Sequence, residues 1–308
     1  MSHSDSAPIP PGLLPTVAVI PAAGFGTRLR PLTNTLPKEM LPVGRSLALE
    51  LIVAEMQAAG ITKTVFVLSP VKEPMIRGRF GDTDPETGMT FAYVQQPEMR
   101  GLGDAVLQAE SEVPLNRPFV VALGDAVFEE PRIGGLTRRL AAAAADASAA
   151  VGLTVQRVPR ERISKYGVVK PASGPGNLGD GSAFFRITDI VEKPAPEDAP
   201  SDYAATARYV VSPDVFAVLR ETRPGKGGEI QFTDAMRSLL VAGRTGVAVP
   251  LQANEARHDL GGLDSYFKAF AAFALADPDH GASLRAYLEE RLAFRGDSLR
   301  TRKEDTQA

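Results

Sequence analysis

The stretch Val17-Ala-Val-Ile-Pro-Ala-Ala-Gly-Phe-Gly-Thr-Arg-Leu-Arg-Pro-Leu-Thr33 decides the fold. A short apolar run ends in the small residues Ala22 and Ala23, then in a glycine-rich turn, Gly24 to Thr27, that leads into Arg28 and Arg30. Pro37-Lys38-Glu39-Met40-Leu41-Pro42 follows, with its lysine ten residues beyond Arg28. A chain builds a phosphate cradle in this way, at the end of a buried strand. Glycine lets the backbone approach a polyanion and aim N–H groups at it, while fixed cations neutralise the oxygens. Two other phosphate loops fail against the same residues. Gly26 is followed by Thr27 and Arg28, not by the Lys-Ser/Thr of a P-loop. Leu29 stands where a dinucleotide fingerprint needs a third small residue, and Pro31 works against an immediate helix start. The ligand this loop points to is a nucleotide.

Outward from the loop, apolar runs at 17–20, 64–68, 119–123 and 151–155 read as strands buried on both faces, with 91–94 a further one. Between them, 47–59 places Leu49, Ile52, Val53 and Met56 at helical spacing and offers Gly60 as a stop. Such alternation predicts an α/β fold with a mostly parallel sheet and helices on both faces. Ligands of such folds sit at the carboxyl ends of the strands, where the Gly24 loop and Gly124-Asp125 fall. The alanine-dominated segment 139–150 reads as a surface or packing helix. Beyond Arg157 the pattern changes to shorter strands at 167–171, 183–192 and 203–212, with glycine-crowded 173–182 as a loop or hairpin tip. Helices are expected at 213–221, 233–241 and 263–275, the last buried in the core of the chain or, alternatively, a contact surface for a second subunit, and a charged helix and tail at 283–308.

Composition narrows the function classes. A chain of 308 residues suits one large α/β unit or two modest ones, and a net charge of −3 without a basic stripe argues against nucleic acid as a partner. With no cysteine and three histidines, thiol nucleophiles, disulfides and histidine–cysteine metal clusters are excluded or disfavoured, so any metal is a hard ion on carboxylates. Residues 1–15 are Ser- and Pro-rich and read as a flexible tail, and no apolar run reaches membrane-spanning length, so no membrane is expected and a cytoplasmic location is.

Asp125 ends a core strand and projects into the expected cleft, either as a Mg²⁺ ligand or as a turn cap. Gln96, in Gln96-Pro97-Glu98-Met99-Arg100-Gly101, offers a side-chain amide able to pair with a nucleobase edge, followed by a close-approach glycine. Glu192 and Lys193 close the strand that precedes Pro194, as a surface pair or as groups for sugar hydroxyls and a phosphate; continued strand geometry would send them to opposite faces. Asp259, in His258-Asp259-Leu260-Gly261-Gly262, offers a second metal carboxylate.

The loop, Pro37 to Pro42, Ile163-Ser164-Lys165-Tyr166-Gly167-Val168-Val169, Ile190 to Pro194, Ala207 to Pro213 and Gly227-Gly228-Glu229-Ile230-Gln231-Phe232-Thr233-Asp234 together resemble the sugar-1-phosphate nucleotidyltransferases. Within them they resemble the bacterial UTP:glucose-1-phosphate uridylyltransferases, from about residue 17 to 272. The resemblance implies a Rossmann-like core at 16–275, with a β-rich sugar-binding part inserted in its second half and C-terminal helices at 276–308. It implies transfer of a nucleotidyl group from UTP to glucose 1-phosphate, dependence on Mg²⁺, and a homo-oligomer, dimer or tetramer. Nucleotide contacts are implied for Ala22, Ala23, Gly24, Gly26, Thr27, Arg28, Gln96, Gly101 and Gly124, sugar-phosphate contacts for Gly167, Glu192 and Lys193, and metal ligation for Asp125 and Asp259. Arg28, Lys38, Asp125 and Lys193 are the implied catalytic groups. The chain departs from the pattern at Gly44-Arg45-Ser46, at Asp104 where the family usually has histidine, and in a short 69–95 segment resembling the thymidylyltransferases, which remain the alternative. A non-catalytic nucleotide-sugar sensor is a further alternative, against which the full set of motif carboxylates and cations speaks.

Overall fold

Strand β1 (Val17–Pro21) forms from the opening apolar run, and its alternate residues enter two different cores. Val17 and Val19 pack into one apolar cluster, Ala18 and Ile20 into another. Successive side chains of a strand point to opposite faces, so the two clusters lie on opposite sides of a sheet. The same division separates Val65 and Val67 from Phe66 and Leu68, and Phe119 and Val121 from Val120 and Ala122. A strand that is apolar on both faces needs cover on both, which parallel sheets obtain from crossover helices. The computed structural model describes residues 13–172, 176–177 and 183–304. The expected tail up to residue 12, most of the 173–182 loop and residues 305–308 lie outside them.

In chain order the further elements are β2 (Pro42–Val43), β3 (Ser46–Leu47), α1 (Ala48–Ala58), β4 (Lys63–Leu68), α2 (Glu73–Phe80), β5 (Thr90–Gln95), α3 (Leu102–Gln108), β6 (Phe119–Ala122), β7 (Ala126–Glu129), α4 (Gly135–Asp146) and β8 (Val151–Arg157). Then come β9 (Gly167–Pro171), β10 (Gly176–Asn177), β11 (Ala183–Glu192), β12 (Tyr203–Val211), α5 (Asp214–Glu221), α6 (Phe232–Val241), β13 (Gly246–Pro250), β14 (Ala256–Asp259), α7 (Leu263–Leu275) and α8 (Gly281–Glu304).

One ten-stranded sheet runs β10-β11-β13-β8-β12-β6-β1-β4-β5, with β9 beside β11 and β12. Strands β6, β1, β4 and β5 are mutually parallel, as are β8 and β13, and β12 runs antiparallel between the two groups. Helices α1, α4 and α7 contribute Ile52, Leu140 and Ala269 to one face, while α3, α5 and α6 contribute Val106, Phe216 and Met236 to the other. Helices on both faces are as expected, but the sheet is mixed rather than mostly parallel, because β12 runs antiparallel to both of its neighbours, β6 and β8, and β11 runs antiparallel to β9, β10 and β13.

Three local expectations are corrected. The alanine helix occupies Gly135–Asp146, not 139–150, because Val151 must pair with Val211 and Gly246 and the chain turns at Ser148, φ 47°, to bring it there. Tertiary pairing thus overrides alanine propensity. Helix α2 and strands β7, β13 and β14 were not expected; among the described residues β7 and β14 pair with each other as a separate two-stranded ribbon. Helix α7 is not core-buried: only Tyr266 and Ala269 are, and Phe267 stays 59% exposed. Among the described residues no helix is long and apolar enough to cross a membrane.

Candidate active site

Strands β1, β4, β5 and β6 end at one edge of the sheet, and the segments following β1, β5 and β6 line a cleft of about 500 Å³. After β1 come Ala23, Gly24, Gly26, Thr27 and Arg28; after β5, Gln96 and Gly101; after β6, Asp125; Glu229 closes the far side. Gly26 is left-handed (φ 64°), and a Cβ on it would lie 3.3 Å from Lys38 Cβ and from Thr33 Cγ2. The chain then makes single 3-10 turns at Thr27–Leu29 and Leu32–Asn34, so no α-helix follows the loop.

A lysine under the loop sets its polarity. Lys72 Nζ donates to Ala22 O (2.7 Å), Gly24 O (2.5 Å) and the Glu39 carboxylate (2.8 Å). In a trans peptide the C=O of one residue and the N–H of the next point opposite ways. Turning two carbonyls down onto Lys72 therefore turns the N–H groups of Ala23 and Phe25 away from it, and neither donates within the described residues. Glu39 is fully buried and Lys72 7% exposed. Burial pushes the Glu39 carboxyl up, with Lys72 and Lys38 acting against it, and pushes the Lys72 ammonium down, with Glu39 acting against it. Sequence reading assigned neither residue a role: Glu39 sat unremarked inside the lysine motif, and Lys72 carries no motif signal.

Asp125 sits in a braced turn. Its carbonyl accepts from Leu260 N (2.8 Å), and Asp259 pairs with Ala126 across the β14–β7 ribbon, so the two expected metal carboxylates come from adjacent backbone. Arg208, wholly buried, holds the turn from behind. It donates to Ala126 O (3.0 Å) and pairs bidentately with Glu55 of α1 (2.9 and 2.7 Å), while neighbouring Ala207 O accepts from Leu123 N (3.1 Å). The motif from Ala207 to Pro213 thus contributes a strand bulge that fixes Asp125. Gly124 is closely packed: a Cβ would stand 3.0 Å from Pro21 O and 3.3 Å from Glu39 Cγ.

Lys38 Nζ lies 2.7 Å from Asp125 Oδ2. Burial opposes the charge on both, yet Lys38, with Arg257 and Arg28 behind it, holds the Asp125 carboxyl below its usual 3.8, and Asp125 and Glu39 hold Lys38 above its usual 10.5. Both are ionised at neutral pH. A Cβ on Gly261 would lie 2.7 Å from an Arg28 guanidinium nitrogen and 3.4 Å from Asp259 Oδ1, so Arg28 and Asp259 flank that glycine. Arg257, 3.5 Å from Asp259 Oδ1, adds a cation that sequence reading missed.

On the opposite wall, Gln96 is 3% exposed and donates from Nε2 to Gly101 O (3.1 Å) and to Asp104 Oδ2 (2.8 Å). Asp104 also accepts from Arg100 (3.0 Å) and Gln108 (3.3 Å), so its buried charge has a cation beside it. Gly101 (φ 104°) tolerates no side chain, since a Cβ would meet Ile230 O and Glu229 Cβ at 2.8 Å.

The sugar-phosphate candidates form a second group. Glu192 Oε2 accepts from Thr233 Oγ1 (2.9 Å), and a Cβ on Gly167 would lie 3.3 Å from the same oxygen. Lys193 does not diverge from Glu192 as continued strand geometry would require. It turns left-handed (φ 46°) and brings Nζ to 3.0 Å from Glu192 Oε1. Tyr209 links the groups: burial raises its hydroxyl, and Glu192 and Asp125 both raise it further. The Gly227 to Asp234 motif also joins them, with Glu229 on the nucleotide cleft and Thr233 on Glu192.

A glycine-rich loop at parallel strand ends, facing an ionised carboxylate and a fixed side-chain amide, is the arrangement of an enzyme that handles nucleotides. The nucleotidyl transferase family profile matches residues 17–275, and the chain belongs to that family. It is 34% identical, over 88% of its length and 94% of the relative's, to UTP–glucose-1-phosphate uridylyltransferase 2 of Streptococcus pyogenes serotype M3. It is 36% identical, over the same shares, to UTP–glucose-1-phosphate uridylyltransferase of Streptococcus pneumoniae serotype 4. Among solved structures, UDP-glucose pyrophosphorylase complexed with UDP-glucose superposes with a TM-score of 0.76 at 30% identity, covering 86% of this chain and all of that one. UTP-bound UGPase from Acinetobacter baumannii superposes at 0.79 with 28% identity, covering 90% and 99%.

Proposed function

We propose that the chain transfers the uridylyl group of UTP to glucose 1-phosphate, giving UDP-glucose and pyrophosphate. The observation that carries this reading is the Lys38–Asp125 pair beside a cleft whose loop turns N–H groups unbonded among the described residues away from Lys72: donors and cations for a triphosphate beside an ionised carboxylate. The uridylyltransferase relatives support UTP over the thymidylyl alternative.

Asp125 and Asp259 suit a hard divalent ion. Mg²⁺ is commonly held by one or two carboxylates with substrate phosphates and water completing its shell, and among the described residues no third acidic or histidine side chain joins the pair. Bound there, Mg²⁺ would neutralise phosphate oxygens of both substrates. The chain's own residues do the positioning. Ala23, Gly24, Gly26 and Thr27 receive the nucleotide, over a floor of Ala22 and Gly124, and Gln96 and Gly101 face the base. Arg28 neutralises the pyrophosphate that leaves. Lys38, moving from Asp125 to a phosphate oxygen, offsets charge as the site fills. Lys193 holds the sugar phosphate so that one of its oxygens faces the α-phosphorus in line, while Glu192 accepts sugar hydroxyls beside Gly167. The new P–O bond forms as the α–β bridge breaks, without a covalent enzyme intermediate, so catalysis is orientation plus charge stabilisation. Residues 16–275 form the catalytic unit, 276–308 are appended to it, and the protein works as a homo-oligomer.

Pyrophosphate release with Mg²⁺, across UTP, dTTP, CTP, GTP and ATP against several hexose 1-phosphates, tests the proposal. Preference for UTP with glucose 1-phosphate is expected. Preference for dTTP would move the chain to the thymidylyl branch, and release with no pair would leave a nucleotide-sugar sensor.

A further inference from the structure

We infer that Asp104 is a positioning residue that locks the Gln96 amide in one orientation and thereby makes the site select a base with a ring N–H, uracil or thymine, over cytosine. The inference rests on the nucleotidyl-transfer reading of the cleft and gives it a specificity device.

The orientation follows from donor and acceptor chemistry. The Gly101 carbonyl and the Asp104 carboxylate are both acceptors, and both lie within 3.1 Å of one terminal atom of Gln96. Only the amide nitrogen has two hydrogens to satisfy both. A flipped amide would set its oxygen against two acceptors in a buried place, which is costly because each group would lose its partner at once. Arg100, at 3.0 Å from Asp104 Oδ1, keeps the carboxylate an acceptor, and Gln108 fixes it from the helix side. Oε1 of Gln96 is what remains. It has no donor among the described residues, and Gln96 lines the nucleotide cleft.

The cleft therefore presents an acceptor with no freedom to become a donor. Uracil and thymine carry a donor, N3–H, between two carbonyls on their pairing edge. Cytosine carries an acceptor at N3, so in the same pose two acceptors face each other. A site built to receive an N–H rejects an analogue lacking it far more strongly than an apolar pocket rejects a change of size. The 5-methyl of thymine lies away from this edge, so Asp104 separates UTP from CTP and leaves UTP and dTTP alike. The negative charge of Asp104 near a triphosphate site also finds its reason: it is paired by Arg100 and spent on the amide.

The test measures kcat and KM for UTP, CTP and dTTP, each with glucose 1-phosphate, for the wild-type chain, Asp104→Asn and Arg100→Gln, alongside thermal melting. An asparagine at 104 meets either Arg100 or Gln96 with the wrong group, so the amide loses its fixed sense. The wild-type UTP:CTP ratio of kcat/KM should be on the order of a hundred or more and should fall about tenfold in Asp104→Asn, mainly through KM for UTP. The UTP:dTTP ratio should not move, which a general loosening of the fold could not produce. Arg100→Gln, at a mostly exposed side chain, should shift UTP:CTP the same way by less, and it decides the matter if Asp104→Asn does not fold. An unchanged UTP:CTP ratio, or equal losses with all three triphosphates, would overturn the inference. A wild-type chain without preference for UTP over CTP would instead overturn the reading on which it rests.

Discussion

The two groups of residues that make up the two halves of the candidate site are built on different principles. On the nucleotide side, the groups that would face UTP are fixed by buried polar contacts that belong to the fold: Lys72 on the loop carbonyls, Asp104 on Gln96, Arg208 behind Asp125. On the sugar side, Glu192 accepts from the Thr233 hydroxyl and pairs with Lys193 at the end of an antiparallel strand, and the Lys193 side chain is 41% exposed. In both halves a lysine rests on a carboxylate, Lys38 on Asp125 and Lys193 on Glu192. The surroundings differ: function and stability share the same residues in one half and are separable in the other.

Lys72→Met strikes this difference hardest. It leaves Glu39 buried without its cation, and removing one partner of a buried pair costs about 3–5 kcal/mol, so the urea midpoint should drop and UTP affinity should fall with it. Combining it with Glu39→Leu should recover much of the stability and none of the UTP affinity, because the loop carbonyls stay unheld. A mild stability loss in the single variant would mean the loop does not depend on Lys72. Asp125→Asn should still fold but melt below the wild type, because Lys38 loses the ionised carboxylate it pairs with, while turnover falls about 10²–10³-fold, as for loss of a group acting mainly in the transition state. Near-normal turnover would remove Asp125 from the chemistry.

Smaller effects belong to the sugar side and to the surface. In Gly167→Ala the new Cβ would lie 3.0 Å from Thr233 Cγ2 and 3.3 Å from Glu192 Oε2. Displacing Glu192 should raise KM for glucose 1-phosphate about tenfold, the scale of one hydrogen bond to a charged group, with little change for UTP. Arg45, at the Gly44–Ser46 departure, touches neither half. It pairs with Asp277 and with Asp279 (2.7 Å), tying the β2–β3 turn to the α7–α8 junction. Hydrogen bonding to Arg45 holds the Asp277 carboxyl well below 3.8. A depressed carboxyl stabilises the fold above its unfolded value, and this is lost as pH falls through the folded one. Arg45→Ala should therefore melt slightly below the wild type at neutral pH, and the gap should close on acidification below 3.8. A gap that widened in acid would reverse the sign.

These residues also mark what the sequence could reveal. The run Val17 to Pro21 was legible because both of its faces are apolar, and the loop because glycine and arginine in one turn have few other uses. Gly101 was legible as a close-approach position, although what approaches it, Glu229 and Ile230, comes from a distant segment. Lys72, Asp104 and Arg208 were not legible in these roles. Each acts on a carbonyl, an amide or a turn that tertiary packing brings to it, and no local spacing records such a pairing. Strand β13 was hidden in a short apolar run, and the β7–β14 ribbon in segments whose burial depends on each other.

The division between the halves is tested most directly by Glu192→Gln, assayed by initial rates with UTP and glucose 1-phosphate varied separately and by thermal melting. The substitution keeps shape and removes the charge that faces Lys193 and Thr233. The expected result is a rise of about tenfold in KM for glucose 1-phosphate, with KM for UTP and the melting temperature close to wild type. An equal rise for UTP, or a clear loss of stability, would contradict the separation.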